Sequence, residues 1–234
     1  MDRTLKALSL ILSYPTRELQ RAMPEIRAVL AADARLTAAT QRALRTLVDS
    51  LALGDIYELE EKFVMLFDRS RTLSLNLFEH VHGESRDRGS AMVSLLETYR
   101  NGGFEPVTSE LPDHLPVLLE FLATRPCVEV QDIRADAAHI LEALFARLER
   151  RESGYAAAFA SLLQLAGGQA DKDAVAELLE VPDVDPNDLE ELDAVWEESE
   201  VRFGPDPNAG CPQVREMLGK MDQPIAPAPK LAAE

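Results

Sequence analysis

Apolar residues recur along most of this chain with the three-and-four spacing of helices. Leu5, Leu8 and Leu12 form a first stripe that ends at Tyr14-Pro15, where proline lacks the amide a continuing helix needs. A second helix is expected from Thr16 and a third from Thr37, with Leu44, Leu47, Val48 and Leu51 facing inward and Gly54 closing it. Asp55 reads as an N-cap with Glu58 at the spacing of a capping box. Ile56, Leu59, Phe63 and Leu66 share one face of the helix that follows. The pattern lapses between Arg69 and Thr72 and stays irregular from Leu73 to Arg88. Met92, Leu95, Leu96 and Tyr99 restore it before Asn101-Gly102-Gly103, as do Leu115, Leu118, Leu119 and Leu122 before Pro126. The longest expected helix, Gln131 to Glu152, buries Ile133, Ile140, Leu141, Leu144, Phe145 and Leu148. Another runs from Tyr155 to Gly167-Gly168.

Two small acidic helices are expected next, one from Asp171 to Glu180 and one capped by Asp185 with Pro186 at its first helical position. Beyond Glu200, prolines 205, 207, 212, 224, 227 and 229 and three glycines fall within 34 residues, the composition of an extended, largely disordered tail. There is no alternating β-branched run and no internal repeat. The fold class is therefore all-α: a single helical-bundle domain over residues 1–168, an acidic helical appendage over 169–200 and a Pro/Gly-rich tail over 201–234.

Composition narrows the functional classes. The net charge is −17, and thirteen acidic residues between Asp171 and Glu200 face Lys172 alone, which leaves a balance of −5 for the rest. Nucleic-acid binding depends on clustered Lys and Arg, so it is excluded as an expectation, as is stable association with an anionic membrane. The two cysteines, Cys127 and Cys211, stand far apart without a CxxC partner, which fits a reducing compartment. Ala7 to Leu12 is too short for a signal-peptide core, and Tyr155 to Ala166 carries Ser161 and Gln164 and falls short of a membrane span. A soluble, cytoplasmic protein is expected.

Candidate chemistry concentrates in Leu75-Asn-Leu-Phe-Glu-His-Val-His-Gly-Glu-Ser-Arg-Asp-Arg-Gly89. Each of Gly83 and Gly89 would cost an ordinary surface helix roughly 1 kcal/mol against Ala, so helix stability did not set this composition. One reading is a polar connection between helices with Phe78 as a core anchor. A second is a metal site from His80 and His82 with Glu79 or Glu84 and a distant His114, although an i, i+2 pair faces one way only on extended backbone. A third is acid–base work by a Glu-His pair, for which no nucleophile motif or cofactor fingerprint is present. The fourth is a recognition surface: Leu77 and Phe78 hold a partner's apolar face, and Glu79, His80, His82, Glu84, Arg86 and Asp87 set register. A second unusual stretch is Glu110-Leu-Pro-Asp-His-Leu-Pro116, where Pro112 is expected to set a first helical turn, Asp113 to sit at its positive end and His114 to reach a neighbouring loop.

Leu12-Ser-Tyr-Pro15, Phe63-Val-Met-Leu-Phe-Asp-Arg69, Leu77 to Gly89 and Glu110 to Pro116 together resemble the NarJ-type chaperones, also called the nitrate reductase delta subunit, within the wider TorD-like redox-enzyme maturation chaperones. The resemblance covers about residues 1–165. It implies an all-helical cytoplasmic binding protein, not an enzyme, that holds no cofactor or metal of its own. Its implied partner is the apo catalytic subunit of respiratory nitrate reductase, including that subunit's N-terminal peptide. Proteins of molybdenum cofactor biosynthesis are further partners, and insertion of molybdenum cofactor and iron–sulfur clusters precedes membrane docking. The candidate client-binding residues are Tyr14, Leu77, Phe78, Glu79, His80, His82, Glu84, Arg86, Asp87, Tyr99, Pro112, Asp113 and His114. The alternatives are a chaperone of the same family for another molybdoenzyme and a His-based metal-binding module or enzyme.

Overall fold

Five helices begin on an Asp or Thr side chain that accepts first-turn amides. Asp2 takes Thr4 and Leu5, Thr16 takes Leu19, Thr37 takes Thr40, Asp55 takes Tyr57 and Glu58, and Asp171 takes Asp173. The helices they open are α1 (Arg3–Ile11), α2 (Arg17–Ala31), α3 (Ala38–Leu53), α4 (Ile56–Phe63) and α10 (Lys172–Glu180). Between α4 and α10 lie α5 (Leu77–His82), α6 (Arg86–Asn101), α7 (Leu115–Thr124), α8 (Gln131–Arg150) and α9 (Ala156–Ala166). This computed structural model describes residues 1–82, 86–126, 131–167 and 170–183, with backbone alone at 82, 86 and 131–136. All of these lie within one unit, Met1–Leu189. Among them there is no strand, and no helix is long and apolar enough to cross a membrane.

The core forms around α1, which packs against α7, α2 and α9, while α2 pairs with α3 and α8 with α9. Leu5, Leu8, Ile11 and Leu12 are buried on α1, as are Leu44, Leu47, Val48 and Leu51 on α3, so the stripes read from spacing face inward. A fully buried leucine contributes roughly 1.5–3 kcal/mol, which makes these stripes the main source of stability. α6 ends where Asn101 meets Gly102 and Gly103: a Cβ at Gly102 would lie 2.7 Å from the Phe121 ring, and Gly103 has φ +66°. α9 ends at Gly167, with φ 68°.

Three expectations change. The single face through Ile56, Leu59, Phe63 and Leu66 breaks because α4 passes into a π-helical turn at Val64–Asp68. The added residue in that turn shifts the phase, so Phe67 is buried while Leu66 is only partly covered. Phe63 and Phe67 then meet Tyr155 edge-to-face at 6.2 and 5.1 Å between ring centroids, and Tyr14 meets Phe63 likewise at 5.7 Å. On α8, Phe145 is partly covered and Arg147 is buried instead. Pro112 does not begin a helix: α7 starts at Leu115 with Pro116 in its first turn.

The acidic helix expected at Asp171–Glu180 forms as α10 and packs on α8. Arg147 donates to the carbonyls of Thr72 (2.9 Å), Leu178 (2.5 Å) and Val181 (3.2 Å), and Asp183 pairs with Arg151 and accepts from Thr72. The helix expected after Asp185, the tail from 201, Cys127 and Cys211 lie outside the described residues, and Ile133 is described only in its backbone.

Candidate functional site

The two unusual stretches of sequence meet. Asn76 and His114 form an antiparallel bridge, flanked by the Leu77 amide on the Asp113 carbonyl (3.1 Å) and the Leu115 amide on the Leu75 carbonyl (2.8 Å). The Asp113 carboxylate then accepts the Phe78 amide at 3.0 Å. Asp113 thus serves the first turn of α5 rather than that of α7, which is the correction to its expected place. His80 Nε2 bonds the Ser74 carbonyl at 2.8 Å and ties the middle of α5 to the loop before it. The Tyr99 hydroxyl donates to the Pro112 carbonyl at 2.7 Å and fixes the other side of the 110–116 loop.

These contacts divide the candidate residues. Leu77, Tyr99 and Asp113 are 4%, 0% and 0% exposed, so they have no surface to offer a partner in this conformation and instead hold the loop and α5 in place. Phe78 is half-buried, neither enclosed as a core anchor would be nor free of the core. Glu79 pairs with Arg88 of α6 at 3.0 Å, and Asp87 is exposed beside it. α5 is helical through positions 80 and 82, not the extended backbone that a shared metal at an i, i+2 pair calls for. The side chains of His82 and Arg86, and Glu84 entirely, lie outside the described residues.

Tyr14 stands apart from that cluster, whereas His114 joins it through its backbone bridge to Asn76. Both line a groove of about 610 Å³ with Phe63, Phe104, Asp68 and Glu110. Tyr14 is 47% exposed and half-buried His114 has its Nδ1 buried without a hydrogen-bond partner. Burial pushes His114 below the ordinary histidine range, and the carboxylates of Glu110, Asp113 and Asp68 oppose that. Burial pushes Asp68 upward, with Glu110 adding to the rise.

Sequence reasoning missed the exposed apolar face of α5 and α6. Val81 and Val93 are exposed. Among the described side chains of α6 only Tyr99 is fully buried, with Met92 half-buried and Leu95 and Leu96 packed on the core from outside. The available signal was α6 itself, where Val93 falls off the stripe of Met92, Leu95, Leu96 and Tyr99.

Residues 33–161 match the nitrate reductase delta subunit family. The chain is 41% identical over 95% of its length, and 94% of the relative's, to the nitrate reductase molybdenum cofactor assembly chaperone NarJ of Escherichia coli K12. It is 36% identical, with the same coverage, to NarW of that strain. A crystal structure of an Archaeoglobus fulgidus protein described as a redox enzyme maturation protein shares the fold with a TM-score of 0.50, at 24% identity, over 70% of this chain and 92% of that one. The chain belongs to the nitrate reductase delta subunit family.

Proposed function

We propose that the chain is a system-specific assembly chaperone for the apo catalytic, molybdenum-containing subunit of a respiratory nitrate reductase. The observation that carries this reading is the 41% identity to NarJ across 95% of the chain. In this reading it acts in the cytoplasm as a binding protein without an active site. It engages the apo subunit, including its N-terminal segment, and keeps it competent for molybdenum cofactor and iron–sulfur insertion before membrane docking. Proteins of molybdenum cofactor biosynthesis meet it at that stage.

The client face is assigned to α5 and the start of α6. Phe78, Val81 and Val93 supply apolar surface there, and an amphipathic client segment that covers it gains roughly 25 cal/mol for each Å² removed from water. Glu79, Asp87 and Arg88 border the patch and set register more than affinity. His80 supports the face through its bond to Ser74, while His82, Glu84 and Arg86 enter by their place in the motif. The groove with Tyr14 and His114 is the competing location.

Co-purification with the apo catalytic subunit tests the chaperone reading. Recovery of a different molybdoenzyme moves the assignment within the family, and stoichiometric bound metal with no client favours a His-based module. Val93→Asp tests the face: the binding titration should weaken while the melting temperature holds. The reverse pattern, with Tyr14→Ala impaired instead, moves the client to the groove.

A further inference from the structure

The buried carboxylate of Asp113 is more tightly enclosed than any exposed role requires, and only half of it is used. One oxygen accepts the Phe78 amide, while the other is buried without a partner. The cation whose charge acts on it is Arg88, yet its guanidinium is engaged by Glu79, and its Nε is itself buried and unpaired. A buried carboxylate that stays charged calls for a bonded cation or several donors, and Asp113 has one donor to its side chain. Burial accordingly pushes its carboxyl above the usual range, against the Phe78 hydrogen bond and the charge of Arg88. Charge is therefore not what the site uses; an oxygen at one particular point is.

That oxygen serves the first turn of α5, whose leading amides have no partner within the helix. The helix is six residues long, and one so short is unstable alone. The Leu77 amide is taken by the Asp113 backbone and the Phe78 amide by its side chain, so a residue 35 positions further along the chain supplies both caps. α5 carries Phe78, Glu79 and Val81, and Glu79 in turn holds Arg88 of α6.

We propose that Asp113 is the positioning residue of the client face: its carboxylate oxygen, as a hydrogen-bond acceptor and not as a charge, caps α5 from the 110–116 loop and sets the orientation in which α5 and α6 meet the client. This rests on the assignment of the client to α5 and α6.

Two substitutions separate acceptor from charge. Asp113→Asn keeps an oxygen where the Phe78 amide points and removes the charge. Asp113→Glu keeps the charge and carries the acceptor one methylene away. Both are made in the full chain and read by amide hydrogen exchange at residues 77–82 and by titration with the purified apo catalytic subunit. Exchange in α7 and α9 reports whether the remaining fold is intact. The acceptor role predicts that Asp113→Asn keeps α5 protection and affinity within about twofold, whereas Asp113→Glu loses roughly tenfold in each, the size of a lost cap. The opposite order, with Glu normal and Asn impaired, overturns the proposal, as does unchanged α5 protection in both. Val93→Asp run in parallel keeps the two hypotheses apart. If it leaves affinity intact, the client face itself is misplaced. If it weakens binding while both Asp113 variants bind normally, only the positioning role fails.

Discussion

Helices α6 and α7 follow one another in sequence and are used in opposite ways. α7 has ten residues, of which Leu115, Pro116, Val117, Leu118, Leu119, Phe121, Leu122 and Ala123 are buried. α6 has sixteen, and among its described side chains Tyr99 alone is fully covered. A helix that is apolar all round belongs in the interior, and α7 lies against α1 there. α6 keeps valine, leucine and methionine on a surface the fold leaves half-open, beside the charges of Asp87, Arg88, Glu97 and Arg100. That exposed apolar surface is where the proposed reading seats the client. Stability thus resides in α1, α7 and their neighbours, whereas the proposed client face lies on a helix that keeps one residue fully covered among its described side chains.

The sharpest way to break this contrast is to substitute both sides of it. Leu118→Ala on α7 empties a fully enclosed position and should cost about 2–5 kcal/mol, read as a large fall in the denaturant midpoint. Next comes Arg147→Met on α8. It removes donors to three carbonyls, of Thr72, Leu178 and Val181, the first buried and the others partly so, and leaving them unpaired should cost roughly 1–3 kcal/mol in all. Hydrogen exchange should show that loss first in α10. A variant as stable as the parent would mean that α10 packs on α8 without needing this arginine.

The helical class and the inward stripes of α1, α3 and α7 were legible because one apolar face recurs at helical period in each. The π-turn after α4 was not, since an inserted residue changes the phase of the stripe without changing its composition: Leu66 and Phe67 are both apolar, and only backbone hydrogen bonding decides which one enters the core. Arg147 was illegible for a related reason. An arginine on an amphipathic helix normally reads as solvent-facing, and its burial here depends on carbonyls from elements 75 residues before it and 31 and 34 after it. Within the candidate site, sequence picked out both stretches but could not place them against each other. The bridge between Asn76 and His114 and the cap from Asp113 to Phe78 are long-range pairings with no local signature, so Asp113 was expected to serve the helix it precedes.

Smaller effects sharpen the other side of the comparison. Phe78→Ala should cost less than the roughly 3–5 kcal/mol of a fully packed ring, because the ring is only partly buried, and should weaken client binding beyond what that destabilisation explains. Val93→Asp should change stability by no more than about 0.5 kcal/mol and still reduce the yield of assembled reductase in cells.

The smallest expected effect is a dependence of stability on pH that originates at the supports of the proposed client face. Burial lowers the pKa of His80, against its bond to Ser74 and the charges of Glu79 and Asp113, and Arg147 adds to the lowering. Burial also lowers that of His114. A histidine whose folded pKa lies below its unfolded value of about 6.5 binds fewer protons folded than unfolded, so stability rises with pH wherever the two states differ. The contribution of both rings is therefore fully present above about pH 6.5 and is lost as pH falls below it. Asp2, Asp33 and Asp183, held low by arginine partners, act in the same direction but only below the unfolded aspartate value near 3.9, which separates the two windows. Asp113 and Asp68, raised by burial, work the other way, because each takes up its proton in the folded state first. Denaturant midpoints measured from pH 8 down to pH 5.5 should fall, and His80→Gln should flatten part of that slope while leaving the midpoint at pH 8 close to the parent's. An identical slope in the variant would show that the His80 ring is reached by water as freely in the folded state as in the unfolded one, and α5 would then be more open than its bond to Ser74 implies.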